Sequence, residues 1–78
     1  MKKEKAINKV NSEIAFLRNK WGEEICTDAV IEDDGDITYI VQPDDITGYV
    51  VEIDPIEMQW RRCGLGKGCF WTDWEEWR

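Results

Sequence analysis

The chain predicts an α+β fold: an N-terminal amphipathic helix, a three-stranded antiparallel meander, a second short helix and an aromatic C-terminal tail. Three observations carry this. Apolar residues recur at helical spacing before Trp21, period-two alternation follows it, and an Asp-Pro pair opens a third segment at Asp54. The 78 residues are expected to form a single domain, residues 1–78.

Ile7, Val10, Ile14, Leu17 and Trp21 recur at steps of three and four and form one apolar stripe. Arg18 and Lys20 fall in the last turn, where cations suit the helix dipole, and Gly22 suits a left-handed cap. A helix from Lys3 to Trp21 follows. Three runs then alternate: Ile25 to Glu32, Ile37 to Gln42 and Tyr49 to Asp54. Asp33-Asp34-Gly35-Asp36 joins the first two as a hairpin, because glycine takes positive φ without steric cost. Residues 43–48 form the second turn. One face is expected to pack on the helix through Ile25, Ile31, Ile37, Tyr39, Val51 and Ile53.

Asp54-Pro55-Ile56-Glu57 reads as a helix start, with an Asp cap, Pro at the first position and Glu returning a bond to the cap. Arg61 and Arg62 would lie in its last turn, with Gly64 ending it. The competing reading is a strand from Ile56 to Cys63 pairing with Cys69 to Trp74. In the tail, Thr72 and Glu75 suggest a capping box for one helical turn. Trp71 and Trp74 are expected in the core, and Trp77 is the tryptophan expected at the surface.

Charge is segregated. Between Trp21 and Trp60 stand twelve acidic residues and no lysine or arginine, whereas the flanking segments are net basic and the whole chain is −7. Such a field repels nucleic acid and membrane surfaces and attracts a basic partner. No apolar run reaches membrane-spanning length, and no apolar core follows the basic N-terminus as in a signal peptide. Cys26, Cys63 and Cys69 are therefore expected to be free thiols in a reducing compartment, and the location cytoplasmic. With no histidine and no C-x-x-C pair, a zinc site is not expected. The acids around Gly35 miss the EF-hand spacing, since Val30 and Val41 would occupy the terminal ligand positions.

No nucleophile–base pair stands out, and the glycine-rich stretch from Gly64 to Gly68 lacks phosphate-loop spacing. The expectation is a binding protein without catalytic residues, metal or cofactor. Asp28, Glu32, Asp33, Asp34, Asp36, Asp44, Asp45 and Glu52 are the candidate partner-binding carboxylates, with Trp74 and Trp77 as aromatic anchors. The expected partner is a basic protein surface, such as the groove of a nucleic-acid-binding enzyme, with a homodimer also compatible. This points to an inhibitor acting by nucleic-acid mimicry, of the phage or mobile-element counter-defence type. Two alternatives are an immunity protein or antitoxin against a basic toxin, and an accessory subunit whose acidic face is merely solvated.

Overall fold

The computed structural model describes residues 2–43, 47–66 and 70–77. Among them one helix packs on a five-stranded antiparallel sheet. Helix α1 spans Lys2–Trp21; the strands are β1 Val30–Ile31, β2 Ile37–Val41, β3 Tyr49–Asp54, β4 Gln59–Gly64 and β5 Glu75–Glu76. Their spatial order is their chain order, so the sheet is a simple meander.

The helix ends as its sequence dictates. Gly22 adopts φ 111°, and its N–H donates to the Arg18 carbonyl at 2.8 Å. Ala6, Val10 and Ile14 are buried against Ile37, Tyr39, Val41, Val51 and Ile53, with Ile7 and Leu17 half-buried beside them. Trp21, expected on the stripe, is 65% exposed. A helix of 20 residues is about 30 Å long, whereas strands of this length span about 17–20 Å. The helix outruns the sheet, and its last turn leaves Trp21 under Lys20, whose ammonium lies 5.2 Å from the ring centroid.

The first turn forms where Asp-Gly requires it. Gly35 has φ 92° and donates to the Glu32 carbonyl at 2.9 Å, while Glu32 donates to Asp36 at 2.8 Å.

Three expectations are corrected. The segment from Asp54 to Cys63 is not a helix. Asp54 Oδ1 does accept the N–H groups of Ile56 and Glu57, at 2.9 and 3.1 Å. The same bonds also close an Asx turn, and Met58 at φ 54° stops helical propagation. The chain then returns as β4, paired with β3 from Asp54↔Gln59 to Tyr49↔Gly64. The competing strand reading is thus the closer one.

The first strand is shorter than expected. Cys26 bridges Val41, but Val30 pairs with Thr38 and Ile31 with Ile37. The register slips by one residue between these points, the signature of a β-bulge. Arg18 Nη2 takes the Cys26 carbonyl at 3.0 Å and Asp28 Oδ1 at 2.9 Å, anchoring the bulged chain to the helix. The slip shifts the alternation, so that Cys26 is buried in place of Ile25; Ile31, expected in the core, keeps the face of its partner Ile37 but is 61% exposed because it lies at the sheet edge.

The tail is strand rather than helical turn. Trp71 bridges Cys63, and β5 pairs through Trp60↔Glu75 and Gln59↔Glu76. Again one extra residue lies between the two pairings, and again the slip sets the faces. Trp77 is only 7% exposed and Trp71 is 42% exposed, the reverse of expectation; Trp74 is half-buried.

Candidate partner-binding surface

The helix covers one side of the sheet. On the other side, Thr38, Glu52 and Arg61 stand in one cross-strand row and Ile40, Val50 and Cys63 in the next. All six are half-buried. Both the Nε and Nη2 groups of Arg61 reach Glu52 Oε1 at 2.7 Å. The guanidinium lies 4.4 Å from the ring centroids of both Trp71 and Trp74. Arg61 is thus held by an opposite charge and two aromatic faces, each interaction favouring the same position.

Glu52 belongs to a second cluster. Carboxylate oxygens of Asp34, Asp36 and Glu52 all lie within 4.8 Å of one another. Asp34 Oδ1 accepts the Asp36 N–H at 2.9 Å, which fixes the turn. Beside it, the Thr38 hydroxyl donates to Glu32 at 2.7 Å. Burial pushes the Asp36 carboxyl up to about 7; a hydrogen bond to Glu52 and the charges of Asp34, Glu52 and Asp54 act in the same direction. Asp36 therefore titrates near neutrality and, when protonated, donates to Glu52. Three convergent carboxylates are also a donor set for a hard cation, and among the described residues this is the one such group. The spacing in the Gly35 turn could not reveal it, because Glu52 arrives from another strand.

The expected acidic set divides. Glu32, Asp34, Asp36 and Glu52 meet at the first hairpin end of the uncovered face. Asp33 is exposed in the turn itself. Asp28 is turned towards the helix by Arg18. Asp44 and Asp45 lie outside the described residues. Of the two aromatic anchors, Trp74 flanks Arg61, whereas Trp77 points to the helix side, where it lines a cleft with Glu13 and Lys9 lies 4.2 Å from its ring centroid.

Arg61 and Trp71 were not among the candidates. The opposite-charge pair Glu52–Arg61 would have been the available signal once Asp54 to Gln59 was read as a hairpin. Cys26 and Cys63 are free thiols, and Cys69 lies outside the described residues. No helix is long and apolar enough to cross a membrane among the described residues. No protein-family model, curated protein or solved structure matches this chain.

Proposed function

We propose that the chain is a partner-binding protein that presents the uncovered face of its sheet to a basic protein surface. The observation that carries this reading is the convergence of Asp34, Asp36 and Glu52, with Glu32 alongside, on the side that the helix leaves open. Carboxylates gathered on a twisted sheet can stand in for phosphates and steer a basic partner into contact. The Trp71–Arg61–Trp74 stack beside them supplies what charge alone does not, a rigid aromatic area of the kind that anchors interfaces. An inhibitor that occupies the nucleic-acid groove of its target would use both: acids for rate and exclusion of the polyanion, aromatics for residence time.

Immobilised wild type and an Asp33→Lys/Asp34→Lys variant can be compared for what each captures at low salt and releases on a rising gradient. Nucleic-acid-binding proteins released from wild type as screening increases, and absent from the variant, are expected. Equal capture by both would place the interface elsewhere.

A further inference from the structure

On the helix side of the sheet, α1 covers β2 and β3 but leaves a cleft of about 320 Å³ towards β4. Glu13 from the helix, Tyr39 and Tyr49 from the central strands, Trp60 and Arg62 from β4, and Trp77 from the tail line it. Four aromatic side chains around one carboxylate form a specific chemical environment. Ring faces attract cations, and the attraction strengthens as water is excluded.

Two contacts within the molecule show these rings already receiving cations. Lys9 sits over Trp77 at 4.2 Å and Arg62 over Tyr49 at 5.6 Å. Glu13 is half-buried. Burial pushes its carboxyl up, opposed by the hydrogen bond from Trp77 and by the charge of Lys9. Glu13 makes no ion pair within 4.0 Å among the described residues, where the two pairs are Arg18–Asp28 and Arg61–Glu52. A partly desolvated carboxylate lining a cleft with aromatic walls, with Lys9 near enough to act on it but not in an ion pair with it, is an incomplete cation site.

The geometry points to this cleft as a binding site for an alkylammonium group, its charge beside Glu13 and its alkyl part against Trp60, Trp77 and Tyr49. Arg62 does not fill that position. It is exposed, lies over Tyr49, and stands at the rim, where its like charge weakens the site without closing it. The site is independent of the reading of the uncovered face, since the two lie on opposite sides of the sheet.

The test is a titration of the full chain with n-butylammonium, tetramethylammonium and the neutral tert-butanol, followed through the indole N–H resonances of Trp77 and Trp60. Saturable shifts with one or both cations and none with tert-butanol are expected; which cation binds tighter distinguishes a primary from a quaternary group. Glu13→Gln keeps the shape while removing the charge, and should weaken binding about tenfold or more. Arg62→Gln, at an exposed position, should tighten it and serves equally if the first variant does not fold. No saturable shift, an equal response to tert-butanol, unchanged affinity in a folded Glu13→Gln, or no tightening in Arg62→Gln overturns the proposal.

Discussion

The two edges of the sheet are built by the same device and put to different uses. At the β1 edge, Thr27 donates its N–H to Ile40 at 2.9 Å, and its hydroxyl accepts the Ile40 N–H at 2.9 Å. At the β5 edge, Thr72 donates to Arg62 at 2.9 Å, and its hydroxyl accepts the Arg62 N–H at 3.0 Å. In each case a side-chain oxygen replaces the threonine's own carbonyl as the partner of the adjacent strand. Each edge slips by one residue close by. Regular edge strands are thereby reduced to two residues apiece, which blunts both edges against pairing with another chain. The outcomes differ because different side chains flank each slip. At the first edge Cys26 enters the core and the acidic turn projects beyond the sheet. At the second edge Trp71 and Trp74 both reach Arg61, and Trp77 crosses to the core.

The sharpest way to break this comparison is at the tryptophans. Trp77→Ala removes a buried ring from the core and should cost about 3–5 kcal/mol. Trp71→Ala, on the other side of the slip, loses a half-exposed cation–π contact and should cost about 0.5–2 kcal/mol. Denaturant unfolding of both variants measures the difference. Equal losses would mean that the slip does not separate the two rings as described.

A smaller effect tests the shared device itself. Thr27→Val and Thr72→Val keep shape and strand propensity but leave the N–H groups of Ile40 and Arg62 without their acceptor. Each should cost about 0.5–1.5 kcal/mol, since the sites are exposed and water can substitute in part. Hydrogen exchange at the Ile40 and Arg62 amides should accelerate in the corresponding variant and not in the other.

The two edges are also separated by pH. Asp36 beside the first edge is raised to about 7 from an ordinary value of 3.8. A raised carboxyl binds its proton more tightly folded than unfolded. Its contribution to stability is therefore fully present below the unfolded value and is lost as pH rises towards 7. Asp36→Asn should flatten that part of the stability profile between pH 4 and pH 7, leaving the tryptophan edge unaffected. A profile identical to wild type would show that Asp36 does not carry the proton.

Much of the helical half was legible in residue order. Gly22, the Ile7–Val10–Ile14 stripe and Asp34-Gly35 act through bonds within a few positions, and each appears where its chemistry requires. The stretch after Asp54 was not legible in the same way. An aspartate accepting two following N–H groups begins a helix or closes a turn with equal local geometry, and the choice fell to β3, which offered six residues of ladder. Nor was the phase of either edge legible, because Thr27 and Thr72 need the opposing strand before their hydroxyls have a donor to accept.

By itself the sequence determined one amphipathic helix, a meander running from the Asp-Gly turn, and a central segment of acids without bases. These depend on periodicity and local chemistry. The tertiary structure decided that the meander has five strands, that Trp77 is core and Trp71 surface, and that Glu52 joins Asp34 and Asp36 while holding Arg61. Each of those outcomes turns on register between segments distant in the chain. A shift of one residue in a strand moves every side chain beyond it to the other face, and only the assembled sheet chooses between the two.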